Sequence, residues 1–495
     1  WWDKFGVPQY GGMITARLST DLQDWDPYFY HGDLPQSMYL ETLGMINWTL
    51  DRQKYVGAYL TRNRNEETRS GLLAESWELP DLQTVIVRLH KGVRWQDKPP
   101  VNGREFTAAD VVYHYSRMRG LGAFTTGSPF RTNVQYMAMS SVTALDKYTV
   151  QFKFSTPSVE MLNTLLDDFG YANIAASEVV QKYGDARDWR NAVGTGPWIL
   201  KDYVPGTSVT YSKNPNYWGY SEWYPNDKLP YADGFRFLVI PDDSTALAAV
   251  RTGKIDLMDT TWDNAASMKK TNSEILSGYR PAAGTGVRMK ISNPPFTDIR
   301  VRQALQMAID RKTIAATFYG GLVDDTPYGL LGVPHPGWYT PYAQWPQALK
   351  DTYAYNPEGA KKLLTAAGYP NGFKTEITLT APSVDLMSIA KYQFAQIGVD
   401  LSLSVMDNAS YNNFVRAGRQ PAMTPGGVAA INPPLINLNQ RYSTQTTASN
   451  HLDVNDPVYD KMVDNYYLAT SRDEQKKIVI AADVYIIQQQ WTVVL

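Results

Sequence analysis

The chain has 495 residues, 43% of them apolar, and a formal net charge of −2 at pH 7. This length exceeds what a single hydrophobic core supports, so the sequence predicts more than one domain. The nearly neutral charge is not that of a nucleic-acid-binding protein. The absence of cysteine excludes disulfides, thiolate nucleophiles and cysteine-ligated metals. No apolar run reaches about 18 residues, so the sequence predicts no transmembrane segment.

Strand and helix patterns alternate in the first part of the chain. The β-branched run TVIVRL at 84–89 predicts a strand, and the alternating run YTVQFKF at 148–154 predicts another. Between them, Thr107 and Asp110 have the spacing of a capping box. This pair predicts a helix that continues through about Arg119.

A glycine pair opens residues 193–218, which read VGTGPWILKDYVPGTSVTYSKNPNYW. A dinucleotide-binding loop needs a third glycine three residues after the second, where this chain has Ile199. Pro197 also lacks the backbone N–H that a phosphate-binding helix N-terminus would offer. Because Pro205 and Gly206 suit the two central positions of a type II turn, the stretch predicts a strand, a turn and a second strand.

Helix patterns continue in the second half of the chain. A short helix is predicted over 244–252, followed by a strand-like IDLM. Asp298 can cap a helix over 299–318, whose apolar residues fall on one face. Asn356 can cap another helix, which Gly368 ends. Plain core packing explains the apolar faces of both long helices.

No motif of a catalytic or metal site stands out. The five histidines are scattered, without the HExxH spacing of zinc enzymes. The Asp168-Phe169-Gly170 tripeptide occurs without the other motifs of a protein kinase, and no Gly-x-Ser-x-Gly elbow is present. We therefore expect no catalytic residue, no metal and no cofactor. An enzyme stays as an alternative because catalytic groups can lie far apart in sequence.

A series of short stretches runs in order over nearly the whole chain. They are Gly11-Gly12, Asp24-Trp25-Asp26-Pro27, LAESWEL at 73–79, RLHKGVRWQD at 88–97, FTAADVVY at 106–113, the stretch at 193–218, LPYADGF at 229–235, GKIDL at 253–257, NPPFTDIRVRQALQMAIDR at 293–311 and AKKLLTAAGYPNGF at 360–373. Each is a weak signal alone. Together and in this order they resemble the family 5 extracellular solute-binding proteins, the substrate-capturing subunits of ABC importers.

The resemblance implies an α/β fold, a two-lobed periplasmic-binding-protein clamshell of type II with an extra subdomain in the first lobe. It assigns 1–37 and 171–285 to the core of the first lobe, 38–170 to the extra subdomain and 286–495 to the second lobe. The family's chain then returns to the first lobe after a last helix, here 473–490, and we expect that return beyond the end of this sequence. In the family, hinge closure buries the ligand between the lobes, and the permease recognises the closed form.

One departure from the family bears on the ligand. In peptide-binding members, a segment of the second lobe with Trp-x-x-Asp holds the peptide's α-ammonium group through its aspartate. The matching stretch here is GGVAAINPPL at 426–435, where Gly427 replaces the tryptophan and Ala430 the aspartate. A buried ammonium group without its carboxylate is costly, so this favours a bulkier or less charged ligand. The resemblance implies ligand contacts from Gly427, Val428, Ala429, Ala430 and Asn432.

Other candidate contacts lie in the first lobe. Asp259 follows the GKIDL strand, where the resemblance places ligand contacts, and is the first candidate to replace the lost aspartate. Thr260 and Trp262 belong to the same loop, and the indole either stacks on the ligand or packs within the lobe. His31 and Asp33 follow the Asp-Pro landmark, near a first-lobe contact of the family.

These observations predict an extracytoplasmic substrate-binding component of an ABC importer, periplasmic or extracellular and associated with the cell envelope. It takes a peptide or similar polar organic solute and delivers it to a permease and ATPase complex. We expect a monomer without nucleic-acid partners, with a lipid anchor upstream of Trp1 as an open question. The alternatives are an oligosaccharide-binding component of the same fold, and a chemoreceptor-linked or chaperone-like binding protein without transport.

Overall fold

The chain forms two compact units in a computed structural model. The described residues are 6–22, 24–28, 34–51, 55, 68–124, 138–159, 161–166, 173–279, 284–329, 331–332, 335–426 and 453–495. The first unit comprises Trp1–Tyr55 and Arg64–Gly278, and the second comprises Val56–Asn63 and Tyr279–Leu495. The lobe boundary expected after residue 285 and the separate subdomain at 38–170 stay predictions.

The first unit mixes strands and helices. Its strands are β1 (Met13–Leu18), β2 (Gly44–Ile46), β3 (Arg69–Gly71), β4 (Ala74–Asp81), β5 (Thr84–Leu89), β6 (Met139–Ala144), β7 (Thr149–Phe154), β8 (Trp198–Val204), β9 (Ser208–Lys213) and β10 (Gly234–Val239). Its helices are α1 (Leu34–Ser37), α2 (Ala108–Arg119), α3 (Met161–Leu166), α4 (Ser177–Tyr183), α5 (Asp243–Arg251) and α6 (Trp262–Thr271), with a 3-10 turn at Trp189–Asn191.

One sheet of the first unit contains the parallel strands that matter for the site. Its order is β1-β10-β9-β8, with β1 and β10 parallel and the other neighbours antiparallel. On the other side of β1, Ala16 forms a parallel bridge with Leu257, and the Arg17 N–H donates to the Leu257 carbonyl at 3.0 Å. The IDLM segment, predicted to be strand-like, therefore extends this sheet, and three parallel segments end at one edge.

The hairpin expected within 193–218 is confirmed. β8 and β9 pair antiparallel, and Gly206 in the connecting turn has φ +68°, which a residue without Cβ adopts readily. The glycines at the start of the stretch meet the backbone of Tyr39, whose carbonyl oxygen accepts from the Gly196 N–H at 3.0 Å. Gly194 and Gly196 thus allow two backbone segments to approach closely, and neither belongs to a phosphate-binding loop.

A second sheet of this unit is antiparallel throughout, in the order β4-β5-β7-β6. It contains both strands predicted around 84–89 and 148–154, and helix α2 contacts it through a core that includes Tyr115 and Phe152. The capping box predicted for α2 is confirmed, because the Thr107 N–H donates to the Asp110 carboxylate at 2.9 Å. β2 and β3 form a separate two-stranded sheet.

The second unit is also α/β. Its strands are β11 (Gly286–Met289), β12 (Phe373–Thr380), β13 (Val399–Met406), β14 (Met423–Pro425) and β15 (Thr492–Val494). Its helices are α7 (Ile299–Met307), α8 (Arg311–Thr313), α9 (Gln347–Tyr353), α10 (Pro357–Ala366), α11 (Val384–Ala395), α12 (Asn408–Arg416), α13 (Pro457–Leu468) and α14 (Arg472–Gln489). Single turns of other helix types lie at Ile314–Phe318, Tyr342–Gln344 and Ala381–Ser383.

A mixed five-stranded sheet organises the second unit, in the order β13-β12-β14-β11-β15. β12 pairs parallel with both β13 and β14, whereas β11 pairs antiparallel with β14 and β15. Helices α7, α10 and α11 cover the sheet and bury a core that includes Leu305, Leu364 and Phe394. The parallel strands β12, β13 and β14 end at the same edge of the sheet.

The helix predicted over 299–318 is wrong in its length. It begins after Asp298 as expected but ends at Met307, and a new turn begins at Arg311. Asp310 accepts from the Thr313 N–H at 3.0 Å, while its own N–H donates to the Gln393 side chain at 3.2 Å. These side-chain bonds replace helical ones and so interrupt the helix.

The helix predicted after Asn356 is confirmed. The Asn356 side chain accepts from the Gly359 N–H at 2.8 Å, and Gly368 follows the helix end with φ +93°. In the part of the chain that is described, no helix is long and apolar enough to cross a membrane.

Candidate functional site

The candidate site in the first unit is the edge at which its parallel strands end. In open α/β sheets, ligands bind outside the carboxyl ends of the strands. Asp259 and Thr260 follow the Leu257 bridge at this edge and are exposed, and Trp262 is half-buried as the first residue of α6. The structure therefore brings these three predicted residues to one strand end.

A salt bridge holds the neighbouring strand end in place. The Arg17 side chain, only 6% exposed, lies with Nη2 2.6 Å from Asp243 Oδ1 and donates from Nε to the Ile240 carbonyl at 2.8 Å. Asp256 adds a bond on the other side of β1, where its Oδ2 accepts from the Thr15 N–H at 2.7 Å. Side chains thus tie all three parallel segments together.

The loop after β1 is attached to the hairpin turn. Asp21 Oδ2 accepts from the Tyr203 hydroxyl at 2.9 Å and from the Gly206 N–H at 2.6 Å. Burial and, after it, the hydrogen bond to Asp21 raise the pKa of Tyr203 to about 12. The phenol therefore stays protonated and donates across the physiological range.

A buried polar cluster precedes the predicted contacts His31 and Asp33. Asp26 is fully buried and accepts from the Tyr28 N–H at 2.9 Å, while the Arg117 guanidinium lies 4.0 Å from the centre of the Tyr28 ring. The Tyr28 hydroxyl is 2.9 Å from His114 Nδ1. The cluster anchors the chain up to residue 28.

The charge of His114 in this cluster is set by its surroundings. Burial, together with a smaller effect of the positive charge of Arg117, lowers the pKa of His114 to about 3. The imidazole is therefore neutral at physiological pH and hydrogen-bonds Tyr28 without adding a charge to the core.

Another buried carboxylate in this unit has a structural role. Glu41 accepts from the Tyr217 hydroxyl at 2.8 Å and from Trp218 Nε1 at 3.2 Å. Burial raises the pKa of Glu41, and these donors oppose the rise. Both aromatic residues belong to NPNYW, so Glu41 fastens that stretch to the segment that follows α1.

The candidate site in the second unit lies where β12, β13 and β14 end. Gly426 directly follows β14 and opens the stretch GGVAAINPPL. Arg288 of β11 is paired with Thr424 of β14, and its guanidinium lies against Gly426. Burial raises the pKa of Tyr411, on the helix after β13, while the nearby Arg288 charge and Thr424 side chain lower it. Arg288, Thr424 and Tyr411 thus form a polar cluster at this strand end.

Comparison with known proteins identifies the chain. The model of the bacterial extracellular solute-binding proteins, family 5 Middle, matches residues 69–449. The chain belongs to this family. The predicted family and the α/β, two-lobed periplasmic-binding-protein fold are confirmed. This solute-binding protein is extracytoplasmic, as the family's description states, which confirms the predicted periplasmic or extracellular location.

Among the relatives of this solute-binding protein, heme-binding protein A of Haemophilus influenzae is 27% identical over 439 residues, which are 84% of this chain and 77% of that protein. The glutathione-binding protein GsiB of Shigella boydii is 26% identical over 341 residues, 68% of this chain and 61% of that protein.

Among solved structures, the ABC transporter-associated periplasmic binding protein DppA from Helicobacter pylori, in complex with the peptide STSA, superimposes with a TM-score of 0.79 at 22% identity. The superposition covers 98% of this chain and 92% of that chain. At this identity the likeness concerns the fold.

The predicted site residues of the solute-binding protein divide into two groups. Asp259, Thr260 and Trp262 lie together, as described above. The others lie outside the described residues: His31, Asp33, Gly427, Val428, Ala429, Ala430 and Asn432. The role of each predicted residue in ligand binding stays a prediction.

Sequence reasoning did not single out Arg288 or Tyr411. The available sequence signal for Arg288 was an arginine between the apolar residues Val287 and Met289. Tyr411 follows Asp407, which caps α12 by accepting from the Ser410 N–H at 3.0 Å. Among the residues that the structure describes, no group of three His, Asp or Glu could hold a metal ion.

Proposed function

We propose that this solute-binding protein captures a peptide or a modified peptide and delivers it to the permease and ATPase of an ABC importer. Membership of the solute-binding family over residues 69–449 carries the proposal. The Helicobacter pylori relative, solved with a bound peptide, supports a peptide ligand. Glutathione, named for another relative, is itself a modified tripeptide.

Capture by hinge closure is a shift between two populations. A ligand that contacts both units lowers the free energy of the closed state relative to the open one. The shift cannot exceed the difference between the ligand's affinities for the two states. Such a mechanism requires no covalent bond to be made or broken. We therefore propose that the ligand is released chemically intact. We also propose that the protein acts as a monomer.

The lost aspartate at Ala430 restricts which peptides fit. A peptide with a free amino terminus needs another carboxylate, and exposed Asp259 in the first unit is the proposed replacement. A peptide whose amino terminus is blocked, or a larger ligand, needs none. The name of the heme-binding relative is consistent with a bulky ligand. The relatives named above give no support to the oligosaccharide alternative.

A binding panel tests this proposal. Thermal unfolding is followed with di- to hexapeptides carrying free or acetylated amino termini, with glutathione, with heme and with maltooligosaccharides. A true ligand at a hundredfold excess over its Kd stabilises the folded state by about 2.7 kcal/mol. Mass spectrometry of the recovered ligand then checks that it is chemically intact. Stabilisation by oligosaccharides alone, or conversion of a ligand, contradicts the proposal.

A further inference from the structure

We infer that Asn371 is a site of spontaneous deamidation in the folded protein, whereas the fold protects Asn102. Asparagine is followed by glycine at two places in the chain, Asn102-Gly103 and Asn371-Gly372. Asparagine is a thermally labile residue, and a following glycine has no Cβ to hinder attack by its own nitrogen. The two pairs are therefore equal in sequence, and their surroundings in the structure distinguish them. The modification concerns the chain itself and is independent of the ligand.

Deamidation of such a pair consumes only water. The Gly372 nitrogen loses its proton to solvent hydroxide and attacks Cγ of Asn371. A C–N bond forms, and Nδ2 leaves as ammonia. Water then opens the resulting succinimide ring at one of its two C–N bonds. Cleavage at the side-chain carbon yields aspartate, and cleavage at the main-chain carbon yields isoaspartate, in which the main chain is longer by the Cβ methylene.

Asn371 is open to this reaction. It lies in the turn between α10 and β12, its side chain is exposed, and in the described part of the chain that side chain forms no hydrogen bond. The Gly372 N–H donates to the Tyr369 carbonyl at 3.0 Å. The attacked amide is thus free to move, and the attacking nitrogen is held by a main-chain bond within an exposed turn.

Asn102 is exposed as well, but both of its reacting groups are held. Asn102 Nδ2 donates to the Pro100 carbonyl at 3.2 Å, and the Gly103 N–H donates to the Gln96 carbonyl at 3.2 Å. The Asn102 N–H also donates to the Lys98 carbonyl at 2.9 Å. The attacked amide and the attacking nitrogen must therefore both leave their partners before this pair can react.

Isoaspartate does not fit at position 371. Gly372 lies so close to Gly398 that a Cβ atom at Gly372 would overlap the Gly398 carbonyl oxygen. A Cβ atom at Gly398 would lie 3.3 Å from the Asn371 carbonyl oxygen. β12 and β13 begin directly after these glycines, where Phe373 pairs with Val399. Because an added methylene pushes the two backbones apart, we expect isoaspartate to loosen the start of this strand pair.

The modified turn and the candidate site lie at opposite edges of the sheet. β12 and β13 are parallel, so they begin together at the turn and end together at the candidate site. Isoaspartate therefore lowers the stability of the second unit without altering the residues at the strand ends. Aspartate at position 371 keeps the original length of the main chain and adds only a charge in an exposed turn.

The test follows both asparagines in one sample of the intact protein. The protein is incubated at mildly alkaline pH, either folded or unfolded in urea. Trypsin then releases Asn371 in the peptide LLTAAGYPNGFK and Asn102 in the peptide WQDKPPVNGR. Mass spectrometry measures the deamidated fraction of each peptide over time, and isoaspartate is detected by enzymatic methylation.

We expect similar rates for the two asparagines in urea, because both precede glycine. In the folded protein, Asn371 should react at least about tenfold faster than Asn102, since one more hydrogen bond must open at Asn102. Incubated wild type should then unfold at a lower urea concentration than fresh wild type. Asn371→Gln should prevent this loss, and Asn102→Gln, the matched control, should not. Fresh Asn371→Asp should be as stable as fresh wild type.

Three results overturn the inference. Equal rates in the folded protein, or a faster reaction at Asn102, would show that the hydrogen bonds of Asn102 give no protection. An intact Asn371 in the folded protein, after a time in which the unfolded chain has reacted, would show that the turn itself prevents attack. An equal loss of stability in incubated wild type and incubated Asn371→Gln would place the damage elsewhere in the chain.

Discussion

Gly194 lies directly against the carbonyl oxygen of Tyr39, so closely that a Cβ atom at position 194 would overlap it. The next glycine, Gly196, donates its N–H to the same oxygen at 3.0 Å. The Gly194 carbonyl in turn accepts from the Gln96 N–H at 2.9 Å. Three separate stretches of the first unit therefore meet at this pair of glycines.

Replacing Gly194 tests this packing. We expect Gly194→Ala to lower the free energy of unfolding by about 2–3 kcal/mol, because the added methyl group forces the backbone of Tyr39 away. Urea unfolding measures the change. Gly278→Ala is the control, because nothing lies within 4 Å of a Cβ at that position. Equal stabilities of the two variants would show that the segments separate without cost.

His114 predicts a dependence of stability on pH. Its pKa is about 3 in the folded state, where burial lowers it, and about 6.5 in the unfolded chain. Below pH 6.5 the unfolded chain binds a proton at His114 that the folded state does not. The contribution of neutral His114 to the free energy of unfolding is therefore fully present above pH 6.5, and it is lost as the pH falls towards 3. The contribution is at most about 1.4 kcal/mol per pH unit.

The His114→Gln variant isolates this contribution. Glutamine does not titrate, so we expect the fall in the free energy of unfolding between pH 6.5 and 4.5 to be smaller than in the wild type. Urea unfolding across that range measures both slopes. His90→Gln, a substitution on a half-buried histidine of the same unit, is the control. Identical slopes for the wild type and His114→Gln would contradict a neutral His114.

Asp259 is the proposed replacement for the missing aspartate. If it holds a ligand ammonium group, Asp259→Asn weakens the binding of peptides with free amino termini by about tenfold or more. N-acetylated peptides are unaffected. Calorimetry with both forms measures the difference, and Asp202→Asn, on an exposed aspartate of β8, is the control. An equal loss for both peptide forms would assign Asp259 a structural role.

Gln306 joins the last strand to helix α7. Its buried side chain donates to the Val494 carbonyl at 3.1 Å and accepts from the Val494 N–H at 2.7 Å. Gln306→Leu leaves both backbone groups without these partners, so we expect a loss of about 2–4 kcal/mol in the free energy of unfolding. Exposed Gln347→Leu should change it by less than about 0.5 kcal/mol. A small effect of Gln306→Leu in urea unfolding would mean that water replaces the amide.

Local patterns predicted many elements of this fold because their causes lie within a few residues. The capping box at Thr107 and the turn at Gly206 are examples, since each depends on bonds or dihedral angles of adjacent residues. The helix after Asp298 was predicted too long because the Asp310 N–H bonds to Gln393, which is distant in sequence. No local pattern reports such a partner.

The candidate site likewise combines residues that local sequence points to with a residue whose contacts depend on distant parts of the chain. Asp259, Thr260 and Trp262 are candidates from the sequence because they follow GKIDL, where the family resemblance places ligand contacts, and their role in binding stays a prediction. Arg288 was not found, because its contact with Gly426 exists only when β11 pairs with β14.

By itself, the sequence determined the family and several of the strands and helices, through landmarks whose geometry is set by neighbouring residues. Only the tertiary structure decided what those landmarks touch. The opening glycines of 193–218 meet Tyr39, and Arg288 reaches the end of β14, because strand pairing and burial join segments far apart in the chain. Side chains acquire their partners, and hence their chemistry, from that pairing.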